Sequence, residues 1–206
     1  MKIKFHYSLL SLFIIFLFSG LYIEILLFFL IIILHELGHI GVLLLYKQNI
    51  KSFNITIVGG ILDVEYKDLN IIKEASISLA GVAVNGLILI LLRYLDNFYY
   101  QDILIKYNQL LIIFNLLPVY PLDGYRFIEA VLRLKDNPFL EQKVLNNISI
   151  ISLIIVFIFS IIYFKSLAII IVFSFLLYNN IILHLKYSQF ALKKLIRRYN
   201  YKRILE

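Results

Sequence analysis

Long apolar runs separated by short polar connectors set the pattern of this chain. Read in order, they predict membrane spans over residues 5–19, 22–46 and 75–92, a shorter one from Tyr107 to Leu117, and two more over 148–164 and 167–185. Runs of about 20 apolar residues match the thickness of a bilayer core. Residues 50–66 depart from this pattern. There, β-branched residues alternate with polar ones around Gly59-Gly60, which predicts a β-hairpin, with a plain interfacial loop as the rival reading. A two-stranded hairpin is marginal alone, so it is expected to pack against the helices and to keep an edge open to an extended peptide. Lys67–Glu74, residues 93–106 and Arg126–Lys143, the last containing Pro138, read as polar connectors. From 186 to 206 the chain is basic and amphipathic, with Phe190, Leu192, Leu195 and Ile196 between Lys193, Lys194, Arg197 and Arg198. This tail is expected on an anionic lipid surface rather than on nucleic acid. The expected fold class is an all-α polytopic membrane protein of about six transmembrane helices, with a small membrane-associated β-hairpin after the second. Residues 1–185 would form one domain, with no CBS or PDZ domain beside it.

Composition narrows the class. With 62% hydrophobic residues and a mean hydropathy of +0.90 over 206 residues, a soluble domain is excluded. The net charge of +7 follows membrane topology. With six spans and a cytoplasmic N-terminus, all but Arg93, Lys106 and Lys165 of the 20 Lys and Arg fall inside, which also places the C-terminus in the cytoplasm. Met1-Lys2-Ile3-Lys4 before an apolar run resembles a signal peptide, but no small-x-small cleavage site follows, so the run reads as a retained span. The chain has no cysteine, which excludes thiolate metal sites, disulfides and thiol nucleophiles.

The polar residues inside the apolar runs carry the chemistry. In the second span stands His35-Glu36-Leu37-Gly38-His39. On a helix His35 and His39 share one face, where two imidazoles can hold one zinc ion. Glu36 stands where a carboxylate can take a proton from an attacking water. A catalytic zinc needs a third protein ligand. The fourth run breaks at Asn115-Leu116-Leu117-Pro118-Val119-Tyr120-Pro121-Leu122-Asp123-Gly124, an irregular segment of a kind tolerated at membrane depth only when buried or lining a cavity. Asp123 in that turn is the best candidate for the third ligand. In the third span Ser76, Ser78, Gly81 and Gly86 permit close helix approach, and Asn85 is expected to hydrogen-bond a neighbouring helix, with a site residue as the rival reading. Glu24, His6 and His184 stand near span ends and read as interfacial.

These two separated motifs resemble the site-2 protease family of intramembrane zinc metalloproteases (peptidase family M50), above all its stage IV sporulation protein FB branch. The likeness extends to the Gly59-Gly60 hairpin, to Leu79-Ala80-Gly81 and to the six-span layout. It implies one Zn2+ held by His35, His39 and Asp123, Glu36 as general acid and base, and Asn115, Pro121, Gly59 and Gly60 at the substrate. It also implies a bacterial cell membrane location, with the site within the membrane near the cytoplasmic face. The implied substrate is a membrane-associated protein, such as a sigma-factor precursor or other tethered transcription regulator, with regulatory membrane proteins as further partners. Val82 and Tyr125 depart from residues common in the family, and neither is a ligand position. The rivals are a membrane metal transporter, which needs no carboxylate after the first histidine, and a catalytically silent membrane scaffold.

Overall fold

The structure is a computed structural model that describes residues 2–5, 20, 22–56, 59–65, 70–95, 99–133, 137–164 and 167–205. Among the described residues three strands, β1 (Lys2–Phe5), β2 (Asn49–Thr56) and β3 (Gly59–Glu65), accompany seven helices. These are α1 (Tyr22–Leu45), α2 (Ile71–Tyr94), α3 (Gln101–Leu116), α4 (Asp123–Val131), α5 (Pro138–Phe164), α6 (Leu167–Leu185) and α7 (Tyr187–Leu205). Among the described residues α1, α2 and α5 are long and apolar enough to cross a membrane. Their outward side chains are large and hydrophobic: Leu26, Leu30, Ile33 and Leu37 on α1, and Ile151, Ile155, Ile158 and Ile162 on α5, are all exposed. Water would not tolerate such stripes, and lipid accepts them. The chain is a membrane protein.

The chain folds as two compact units, Met1–Lys67 with Leu79–Phe114, and Asp68–Ser78 with Asn115–Glu206. In the first, β2 pairs antiparallel with β3 while β1 runs parallel to β2 on its other side. Both β2 and β3 approach α1. The strand at Lys2–Phe5 takes in only the first residue of the expected span 5–19, whose other residues lie outside the described ones. Gly59 and Gly60 do not form the turn. They open β3 opposite Thr56 and Ile55, and residues 57–58 between the two strands lie outside the described residues. Helix α1 ends in a Schellman cap, with Gln48 N–H on the Leu43 carbonyl, Lys47 N–H on the Leu44 carbonyl, and Lys47 left-handed at φ 52°. Gly38 seats α1 against α2, since a Cβ there would stand 2.8 Å from the Ala80 carbonyl oxygen and from Val84. Tyr107 of α3 donates to the Glu24 carboxylate at 2.9 Å and packs edge-on against Phe28. Glu24, expected at the interface, is thus an anchor for α3.

In the second unit Tyr125, Leu145 and Leu183 form a core closed by Tyr120, Ile128, Leu132 and Phe190. The expected connector Arg126–Lys143 is largely helical: it holds most of α4 and the first turn and more of α5. Pro138 begins α5 rather than breaking a chain segment, because the first turn of a helix has no use for its missing N–H. Asn137 caps that turn, its Oδ1 accepting the Leu140 N–H at 3.0 Å. The basic tail also surprises. Its first turns pack inward, with Ala191 fully buried and Phe190 on the core. Lys194 reaches the Glu129 carboxylate at 2.7 Å and that of fully buried Glu141 at 3.3 Å, and Arg133 pairs with Glu74. These pairings join charges far apart in sequence, so no local pattern announces them.

Candidate metal centre

Helix α1 sets the site. One turn apart, the His35 and His39 side chains lie on the buried face, 3% and 4% exposed. Their rings meet nearly edge to face, and the two Nε2 atoms stand 3.2 Å apart. Two nitrogens about 2.0 Å from one tetrahedral zinc would be about 3.3 Å apart, so the pair is already at the spacing such an ion demands. The opposite wall is bare by design of the sequence. A Cβ on Gly81 of α2 would stand 2.5 Å from both Nε2 atoms, and only glycine leaves that space open. Gly81 was legible only as a small residue for helix approach; its service to the imidazoles needs the fold. Glu36 is half-buried, one position round α1 from the histidine face.

Asp123, in the second unit, is the first residue of α4 and is 7% exposed. Instead of an irregular turn, the chain gives it a helix N-terminus, where the helix dipole favours a negative charge. The segment before it is tightly folded: Val119 N–H bonds the Leu117 carbonyl, Leu122 N–H bonds the Val119 carbonyl, and the Tyr120–Pro121 peptide is cis. Gly124 is pressed against α3's last carbonyls, where a Cβ would overlap the Leu116 oxygen. Asn115 is buried at the end of α3 and Pro121 is half-buried. Burial, reinforced by the Glu129 carboxylate, pushes the Tyr125 hydroxyl above the ordinary phenol range, so it stays a neutral hydrogen-bonding group.

Two expectations change, those for Asn85 and for Gly59-Gly60. Asn85 was expected to bond a neighbouring helix. It is fully buried, yet neither its Nδ2 nor its Oδ1 has a partner among the described residues. His184 is exposed at the end of α6, and His6 lies outside the described residues. Gly59 and Gly60 are strand residues and so can serve an edge through their backbone alone.

A search of protein-family models finds none that matches. A zinc metalloprotease of Methanocaldococcus jannaschii is 32% identical over 146 residues, covering 66% of this chain and 42% of that protein. The chain thus spans about two-fifths of the length of this curated relative. Against solved structures, a site-2 protease from the same organism superposes with a TM-score of 0.66 at 24% identity, covering 86% of this chain and 88% of that one. This chain has the site-2 protease fold. Within that fold, the histidine pair of α1 and the aspartate heading α4 are the ligand-capable groups described above.

Proposed function

We propose that this chain is a multi-pass zinc metalloendopeptidase of the site-2 protease family, cutting a membrane-associated protein within or beside the bilayer. The observation that carries the reading is the histidine pair, whose Nε2 atoms are at zinc spacing on a membrane-length helix, with a carboxylate next in sequence. His35, His39 and Asp123 would hold one Zn2+, a donor set of two imidazoles and one carboxylate that suits this ion and leaves a position for water. Zinc, when bound, supplies Lewis acidity toward water and the scissile carbonyl. Glu36 takes the proton from the attacking water and returns it to the leaving amine nitrogen.

A helical substrate hides its carbonyls in its own hydrogen bonds and must unwind to be cut. The outer edge of β3, unpaired among the described residues, supports capture of the unwound segment as an added strand, with Gly59 and Gly60 offering backbone groups there. Asn115 and Pro121 would shape the groove that receives the substrate. The active site lies near the cytoplasmic face of a bacterial membrane, with both termini cytoplasmic. The substrate is a tethered transcription regulator, for which a sigma-factor precursor, as in the sporulation FB branch, is the example to try first. Basic residues of the tail contact anionic lipid.

The test is Glu36→Gln beside wild type, with zinc content and peptide cleavage measured on the same detergent preparations. Equal zinc and a loss of cleavage of about 10²–10⁴-fold is expected. Retained cleavage would refute the role of Glu36, and metal uptake into vesicles without cleavage would favour a transporter.

A further inference from the structure

Two of the most apolar helices carry a buried polar line that the proposed chemistry does not use. On α5, Gln142, Asn146 and Ser149 recur at helical spacing, and all three are at most 1% exposed. On α6, Asn180 is 1% exposed. Polar groups placed in such surroundings cost several kcal/mol, of order 2–7, unless they are bonded.

The bonds of Ser149 and Asn180 close on one residue of the segment before Asp123. The Ser149 hydroxyl oxygen accepts the Tyr120 N–H at 3.0 Å and donates to Asn180 Oδ1. Asn180 donates both its Nδ2 hydrogens, to the Tyr120 carbonyl at 2.9 Å and to the Leu176 carbonyl at 2.8 Å. With both amide hydrogens committed, Oδ1 is the acceptor and the serine proton must point to it, which leaves the serine lone pair for Tyr120. Two helices therefore hold both backbone polar groups of a residue that no helix or strand can satisfy. Beyond Asp123 a second tie exists, where Gln142 donates to the Tyr125 hydroxyl at 2.8 Å and to Asn146 Oδ1 at 2.8 Å. Asp123 is thus fixed from three residues before it and two residues after.

We infer that Ser149 and Asn180 are positioning residues for the Asp123 carboxylate, holding the broken segment so that the ligand is presented in one place. The inference rests on Asp123 being a metal ligand. Loosening the clamp weakens metal binding without removing any donor.

The full chain in detergent, loaded with Zn2+ or with Co2+ as a spectroscopic probe, tests this. Three quantities are read: the rate at which a chelator strips zinc, the visible absorption of the cobalt form, and the thermal unfolding midpoint. Ser149→Ala and Asn180→Ala should speed zinc loss by about 10–100-fold and change the cobalt spectrum, as lost supports of a ligand do. Ser149→Thr, which keeps the hydroxyl, should restore both. Ser160→Ala should match wild type, because among the described residues that hydroxyl bonds the Val156 carbonyl of its own helix, at 2.7 Å. Unchanged zinc loss and cobalt spectrum with a lowered midpoint, or loss of fold in both alanine variants, would make the pair purely structural and overturn the inference. Asp123→Ala separates the two levels. Fast zinc loss there with none in Ser149→Ala overturns the clamp alone, and wild-type zinc retention there overturns the ligand assignment and the clamp together.

Discussion

At the scale of the residue, the histidine face of α1 depends on what stands opposite. His35, Glu36 and His39 were legible in the sequence because an apolar run has no other reason to contain them. Gly81 was not, since its value lies in an absence of side chain facing residues more than forty positions away. Gly81→Ala should therefore lower zinc affinity at least about tenfold, a cost comparable to losing a support of a ligand. Its Cβ would fall 2.5 Å from each Nε2, so the rings must turn from their shared focus. Gly86→Ala, on the same helix with open space at its Cβ, should bind zinc like wild type and melt slightly higher, by the helix propensity of alanine. Zinc titration and thermal melts of the two variants side by side check both statements; equal zinc affinity in Gly81→Ala would remove the steric argument.

At the scale of the element, local signals were read well where they were local. The apolar runs of α1 and α2 gave their helices because such stretches have no alternative in a membrane. The errors came where position within an element decides meaning. Pro138 was taken for a connector residue although a proline at the first helical position starts a helix, and Gln142, Asn146 and Ser149 share a helical face only once α5 is extended back to it. Lys47 is the reverse case, a residue whose conformation is set by its place at a helix end. It holds the left-handed position of the α1 cap, which costs a side-chain-bearing residue about 1 kcal/mol. Lys47→Gly is expected to stabilise the protein by about 0.5–1 kcal/mol, raising the melting midpoint by roughly 1–4 °C. A midpoint that falls would mean that the lysine side chain contributes something the cap geometry does not reveal.

At the scale of the whole molecule, the distribution of Lys and Arg predicts an orientation without any fold, because charge asymmetry is carried by sequence. Packing of the tail was not legible, since Lys194 meets Glu129 and Glu141, more than fifty positions away. Orientation can be tested directly, as the chain contains no cysteine to confuse a label. Arg93→Cys should react with an impermeant maleimide on intact cells, and Lys143→Cys only after permeabilisation; the opposite pattern would invert the orientation. The pairing of β1 with β2 carries a matter of sidedness. Lys2 lies in register with Ser52, so the first strand and the chain beyond α1 share one compartment. A membrane-crossing α1 puts Tyr22 in the other. On the proposed topology Phe5 and Tyr22, seventeen positions apart, would face opposite sides of the bilayer, and an epitope fused ahead of Met1 would report the compartment of the sheet while sitting beside the strands proposed to receive substrate.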